Sequence, residues 1–329
     1  MAGSYSPQSG VRGVHIRQDL GNLSIGYHPT GMIAEQVFPV FPVTHESDMY
    51  WFWDKGQAFN LLRSDGNGSV RADGTRSKEL AFGATRKVYN AQELALSTRI
   101  TDREMRNADS SLRLETSRTR RAQDLVLLDY ETRVANLVTG ASNYASANKT
   151  TLSGTSQWNN ASFTSQNTQG QSVIGGELLT GIDAVRQSTG GRYPNVIIIP
   201  AAVLAVMRND KGLNDSVKYT SNTIATGSPF GESLYGLKIL TPTAMSQSVT
   251  EGEATSLGDV WGKSVVIAYI NPNPGIDDIT LGLTFRQRPW QVKTWREEAE
   301  ESTMYEPSMV QAEAAITFDC AYLIQNAIA

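Results

Sequence analysis

Thr101-Asp-Arg-Glu-Met-Arg-Asn-Ala-Asp-Ser-Ser111, continued by LRLETSRTRRAQDLVLLDYETRVANLVTG from Leu112 to Gly140, is the stretch that decides the fold. Thr101 and Glu104 have the spacing of a capping box. The threonine side chain accepts from a first-turn amide and the glutamate reaches back. Asp102 and Glu104 also suit the positive end of a helix dipole. Apolar or small residues at Met105, Ala108, Leu112, Thr116, Thr119, Ala122, Val126, Tyr130, Val134 and Leu137 keep the three-or-four spacing of one helical face. The pattern predicts one long helix from about Thr101 to Val138, with Gly140 as its stop. Asp109-Ser110-Ser111 offers an alternative, in which a short helix ends there and the long one begins near Leu112. From 112 to 138 the helix would span roughly 40 Å at about 1.5 Å per residue.

Upstream lies a long polar excursion. An aromatic cluster, Tyr50-Trp-Phe-Trp53, is followed by two strong turn signals, Asp65-Gly-Asn-Gly68 and Ala72-Asp-Gly74. Apolar content returns only at Leu80-Ala-Phe82 and Val88-Tyr89. The simplest structure is a long hairpin with a glycine-rich tip. Between Asp54 and Lys87 it carries seven basic residues (Lys55, Arg63, Arg71, Arg76, Lys78, Arg86, Lys87) and four acidic ones, for a net +3. Before it, residues 1–48 read as an extended arm, because alternating prolines in Val37-Phe-Pro-Val-Phe-Pro-Val43 favour a non-helical path.

Downstream, residues 141–172 are a loop region rich in Ser, Thr, Asn and Gln, with Trp158 and Phe163 as anchors. Ile174 to Gln187 reads as a helix with Leu178, Leu179, Ile182 and Val185 on one side. Pro194-Asn-Val-Ile-Ile-Ile-Pro200 is a fully buried strand between breakers, and Ala201 to Arg208 a short helix. Tyr235–Leu240 and Ser264–Ile270 are further strands, so the region predicts a mixed sheet packed by helices. The end of the chain alternates at Val292–Trp295 and Ala314–Phe318. Between these lie Glu297, Glu298, Glu300 and Glu301, and residues 296–313 hold one Arg against six Glu, a net −5.

Composition narrows the function. Hydrophobic residues are 40% and charged residues 19% of 329, both low, and polar uncharged residues and glycine make up the difference. That suits loops and contact surfaces better than a compact enzyme. A net charge of −4 gives no global drive toward nucleic acid. No 18-residue apolar run predicts a membrane span, and Met1 to Gly26 has no secretory pattern. The single cysteine, Cys320, reads as a small core residue and fits folding in a reducing cytoplasm.

No catalytic motif is intact. His15, His28 and His45 have no metal spacing. Gly258-Asp-Val-Trp-Gly-Lys-Ser264 is one residue short of a phosphate loop and runs into a strand where a helix N-terminus is needed. Gly231-Glu-Ser-Leu-Tyr-Gly236 is one residue too long for a nucleophile elbow. Asp65-Gly-Asn-Gly-Ser69 starts like a calcium loop but has Val70 and Arg76 where glycine and glutamate are required. No catalytic residue, metal or cofactor is therefore assigned, and the chain is read as no enzyme. A soluble hydrolase using the acidic 297–301 stretch is the remote alternative.

The serial order of elements resembles the tailed-bacteriophage major capsid proteins of the Hong Kong 97-type fold. Strings similar in texture include Ile100-Thr-Asp-Arg-Glu-Met105, Thr151-Leu-Ser-Gly-Thr-Ser-Gln-Trp158, Asn195–Pro200, Asp259–Tyr269 and Leu281-Gly-Leu-Thr-Phe285. The resemblance covers nearly the whole chain and implies an α+β (mixed) subunit. Its parts would be an N-terminal arm (1–48), an extended β-hairpin loop (49–98), and a spine helix with part of a peripheral domain (99–172). An axial domain (173–270) and returning C-terminal strands (271–329) would follow.

It further implies an icosahedral shell around double-stranded DNA, built from many copies as hexamers and pentamers. A separate scaffolding protein, a portal and a decoration protein would be its partners. Packaged DNA would be held without sequence-specific contact, with no membrane involved. The protein would reside in the virion after assembly in the host cytoplasm. Some relatives cross-link Lys to Asn. Lys55, Lys78 and Lys87 lie in the right loop, but the sequence identifies neither an asparagine partner nor an assisting glutamate. An encapsulin-type shell around protein cargo is the alternative. Opposite charge on the loop (Arg63, Arg71, Arg76, Lys78) and on Glu297, Glu298, Glu300 and Glu301 suggests that one subunit's loop lands on its neighbour's acidic stretch.

Overall fold

A computed structural model describes residues 15–16, 31–52, 70–76, 85–108, 113–217, 233–247, 256–275 and 278–329. The described helices are α1 (Ala34–Val37), α2 (Asp102–Asn107), α3 (Leu114–Thr139), α4 (Val173–Ser188), α5 (Ala201–Asn209) and α6 (Lys211–Val217). The first strands are β1 (His15–Ile16), β2 (Val40–Pro42), β3 (Ser47–Phe52), β4 (Thr85–Asn90), β5 (Gln92–Ala95), β6 (Thr98–Thr101) and β7 (Lys149–Thr151). Then come β8 (Val196–Ile198), β9 (Ser233–Leu234), β10 (Leu237–Leu240), β11 (Met245–Gln247), β12 (Leu257–Asp259) and β13 (Val265–Ala268). The chain closes with β14 (Gly282–Glu297), β15 (Ser302–Ala315) and β16 (Ala321–Gln325).

The capping box forms as the sequence predicts. Thr101 accepts from the Glu104 amide and Glu104 accepts from the Thr101 amide. Of the two readings of the long helix, the broken one holds: α2 ends at Asn107 and α3 starts at Leu114. At 26 residues, α3 runs about 39 Å. Thr119, Ala122, Val126, Tyr130, Val134 and Val138 lie on its buried face. It stops at Gly140 in an extended conformation, where a side chain would press on the Asn136 carbonyl and on Asn143.

Two mixed six-stranded sheets flank the core. In the first, β14 and β15 form one long antiparallel hairpin; β1 and β2 pair with β14, and β5 and β6 with β15. Its register slips between Arg286 and Gln291, a stretch that includes Pro289, which has no N–H to give the ladder. The second sheet runs β7-β16-β13-β8-β10-β9, with β8 parallel to β10 and antiparallel to β13. Every residue of β8 and β13 is buried, as expected for strands covered on both faces. Two two-stranded ribbons, β3–β4 and β11–β12, stand apart from these sheets.

Some expectations change. Residues 33–38 do not belong to an extended arm. Ile33, Ala34, Val37 and Phe38 are buried in the central core, and 34–37 form a helical turn. Leu179, assigned to the packed side of α4, is half exposed, whereas Leu178 and Val185 are fully buried. Of the two alternating C-terminal fragments, Val292–Trp295 lies in β14, whereas Ala314–Phe318 begins at the end of β15 and runs out of it into a 3-10 turn at Phe318. Trp158 does anchor the polar loop region: it is buried and donates to Glu177 at 2.8 Å. Cys320 is buried, which pushes its thiol up to about 12.

Candidate assembly surfaces

The β3–β4 ribbon is held at its stem by aromatic packing. Tyr89 stacks on Phe285 of β14 with ring centroids 4.4 Å apart, and Tyr50 lies 5.4 Å from the same ring. The Tyr89 hydroxyl donates to the His45 carbonyl at 3.1 Å. Burial pushes both tyrosine hydroxyls up. The opposite face of the ribbon is open. Met49 and Val88 sit across from each other in register and are 60% and 64% exposed. Between β3 and β4 in the sequence, residues 70–76 form an exposed turn, closed by the Thr75 hydroxyl donating to the Ala72 carbonyl. Gly74 there has φ +73°, which glycine adopts freely. Arg71 and Arg76 are therefore on an exposed turn. Arg63, Lys78 and Lys55 lie outside the described residues. Lys87 is on β4, bordering a groove of about 390 Å³ that also touches Asn90, Gln92, Arg133 and Glu313.

The four glutamates are the tight connection of the β14–β15 hairpin. Glu298–Glu300 make one 3-10 turn and Glu301 closes it at φ 43°. Glu298, Glu300 and Glu301 are exposed, and Glu297 is partly covered, accepting from the Trp295 indole at 3.1 Å. Arg99 pairs with Glu300. Arg296 reaches Glu298 at 3.4 Å and grips Asp102 through two bonds of 2.8 and 2.6 Å. The Arg296 bonds hold the Asp102 carboxyl below its ordinary range, and the Thr101 amide does the same for Glu104. Arg118 pairs with Glu104, and Arg103 lines the same shallow groove of about 410 Å³.

The net −5 along the chain is thus not a bare acidic patch. Asp102, Glu104 and the four glutamates share this end of the molecule with Arg99, Arg103, Arg106, Arg118 and Arg296, a local net of −1. Nor do these glutamates oppose one another across a cleft, the arrangement that glycoside hydrolysis by a carboxyl pair requires. Among the described residues no group of three His, Cys, Asp or Glu could hold a metal ion.

The polar core around α3 escaped the sequence reading. Glu131 is fully buried. Its carboxylate accepts from the Ile33 amide at 3.0 Å, the Ala34 amide at 2.8 Å and the Trp261 indole at 2.6 Å. Burial pushes its pKa up, and these three donors oppose the shift. Alongside, Glu35 pairs with Arg286 at 2.7 Å, Arg286 with Gln311, Gln311 with Glu313 at 3.0 Å, and Glu313 with Arg133 at 3.2 Å. Burial raises Glu313 against the pull of Arg133. Tyr130 bonds Thr284 at 2.7 Å across the same layer. The only sequence signal was a set of charged residues inside the apolar stripe of a helix, and a solvated face explains such residues equally well.

No family model matches the chain. It is 32% identical over 145 residues to the major capsid protein of Pseudomonas phage JBD67, covering 44% of this chain and 45% of that one. It is 26% identical over 251 residues to the major capsid protein of Burkholderia phage BcepMu, covering 76% and 75%. The chain therefore spans less than half of the first relative's length and three quarters of the second's. A phage-related protein from Bordetella bronchiseptica RB50 superposes with a TM-score of 0.71 at 22% identity, over 95% of this chain and 97% of that one. A subunit of the bacteriophage PhiM1 mature capsid gives 0.57 at 11% identity, over 91% and 88%. The chain is thus related in sequence to phage major capsid proteins and has the mixed α+β fold of phage capsid subunits, the Hong Kong 97 type.

Proposed function

We propose that this chain is the major capsid protein of a tailed phage, self-assembling into an icosahedral shell that encloses double-stranded DNA. The observation that carries the reading is the match of fold over almost the entire length of both chains, joined to relatives that are themselves named as phage major capsid proteins. The work of such a protein is association. Each contact is modest, and closed multivalent geometry makes the sum strong. In this reading residues 49–98 lie over an adjacent subunit, and residues 173–270 gather at the five-fold and six-fold centres. A separate scaffolding protein, a portal and a decoration protein complete the particle, which is assembled in the host cytoplasm. DNA is held by confinement, in keeping with the net charge of −4.

The test is electron microscopy of the expressed chain, with nucleic-acid analysis of particles from infected cells. Closed shells carrying DNA are expected. A monodisperse monomer would overturn the reading, and shells filled with protein and free of DNA would favour the cargo compartment.

The landing of Arg63, Arg71, Arg76 and Lys78 on a neighbour's Glu297, Glu298, Glu300 and Glu301 belongs to the same proposal in altered form. With Arg99 already paired to Glu300 and Arg296 to Glu298 at that turn, recognition rests on individual pairs and not on a broad field. Reversing the four glutamates to Lys is expected to impair assembly more than subunit solubility. Assembly unchanged across salt concentrations would reject the pairing.

A further inference from the structure

Helix α3 lies across both large sheets. Its Val126, Tyr130, Val134 and Val138 share one core with Leu281 and Met309 on the side of the first sheet, and with Ile198, Val266 and Leu323 of the second. Apolar packing of this kind is non-directional. Glu131 is different. Its donors Ile33 and Ala34 belong to the segment that continues into β2 of the first sheet. Its third donor, Trp261, sits on the turn that leads into β13 of the second sheet. One carboxylate on the connecting helix therefore ties the lead-ins of both sheets, through directional bonds.

Among the described residues no cationic side chain pairs with Glu131, so these three donors are its whole compensation. Losing one would leave a buried anion underpaired, the costliest kind of polar loss in a core. The α1 segment depends on the same bonds, since α1 has no side-chain cap of its own.

We infer that Glu131 fixes the angle between the two sheets, and through it the curvature at which copies of the subunit join. This rests on the shell reading above. In a closed assembly a small change in subunit shape is repeated at every contact, so it appears as a change in particle size or a failure to close.

The test compares shells of Glu131→Gln and Trp261→Phe with those of Val203→Ala, all in the full-length chain. Val203 is fully buried in the second core, away from Glu131, and controls for lost stability alone. Diameters are measured by electron microscopy and subunit folding by circular dichroism. The two seam variants are expected to give a shifted or broadened diameter distribution, or open sheets. The control is expected to keep the parental diameter. Should Glu131→Gln not fold, Trp261→Phe decides, because it keeps the carboxylate and both backbone donors. Uniform shells of parental diameter from the seam variants would overturn the inference, as would equal broadening in the control. Absence of shells from the parental chain would overturn the shell reading, and this inference with it.

Discussion

Two antiparallel hairpins of the molecule, β14–β15 and β3–β4, have opposite character. The β14–β15 hairpin is closed by a four-residue turn and is covered on both faces, with helix α3 on one side and the Tyr50, Tyr89 and Phe41 rings on the other. The β3–β4 ribbon is covered on one face only and leaves Met49 and Val88 open. Strand pairing is the same in both, so pairing does not separate a structural hairpin from a contact-making one. The number of buried faces does. A two-stranded ribbon is marginal in water by itself, and this one borrows order from Phe285 at its stem. Its free face is then available to another surface.

The largest effect is expected where the long hairpin meets the core. Phe38 is fully buried, and its ring lies so close to Gly282 at the start of β14 that a side chain there would stand 2.5 Å from it. Phe38→Ala should cost the subunit about 3–5 kcal/mol. Urea unfolding would register the loss as a lower midpoint. A shift comparable to that of a surface substitution would show that the 33–38 segment is not part of the hairpin's support.

Helices α2 and α3 were legible because the capping box of the first, the apolar period of the second and the Asp109-Ser-Ser break between them are local signals, as was the run Val196–Ile198. What escaped was set by contacts between distant segments. Residues 34–37 are flanked by a proline-rich stretch and have no cap of their own. Their first amides are satisfied by a carboxylate 98 residues away, which no local pattern encodes. The β14–β15 pairing was only partly visible: Val292–Trp295 in β14 alternates, whereas β15 is buried without a break from Pro307 to Ala312 and shows no such pattern. The charge of the 297–301 turn was readable along the chain, but the pairing of Arg99 with Glu300 and of Arg296 with Glu298 depends on the fold. For Leu179, helical spacing placed the residue one step inside the true edge of the buried stripe.

An intermediate effect is expected at the turn of the long hairpin, and it is a function of pH. Arg296 lowers the Asp102 carboxyl, the Thr101 amide lowers Glu104, and Lys293 and Arg288 lower Glu93. A carboxylate with a lowered folded-state pKa adds stability above its unfolded value and loses it as pH falls through the folded one. The hairpin should therefore weaken as pH drops through and below about 4. Buried Glu131 and Glu313 are raised, so their contribution has the opposite sign and is lost as pH rises. Asp102→Asn separates the two, since it removes only the first kind of group. Its melting temperature should lie below the parent's at neutral pH and converge with it in acid. A constant offset at all pH values would mean that the Arg296 grip adds nothing to stability.

The smallest effect on the subunit, and the sharpest on the comparison, is expected at the open face of the ribbon. Met49→Ser with Val88→Thr removes apolar surface that touches little in the subunit, so stability should stay within about ±0.5 kcal/mol. Threonine keeps the branched shape that strands favour, so the ribbon itself should survive. If that face is covered in the shell, the double variant should assemble at a higher subunit concentration than the parent, because each copy loses one apolar contact and the loss is multiplied around the shell. Sedimentation of assembly mixtures at graded concentrations measures the threshold. An unchanged threshold would mean that Met49 and Val88 remain in water in the particle. Contact with the neighbour would then fall to the exposed 70–76 turn, at Arg71 and Arg76, and not to the stem of the ribbon.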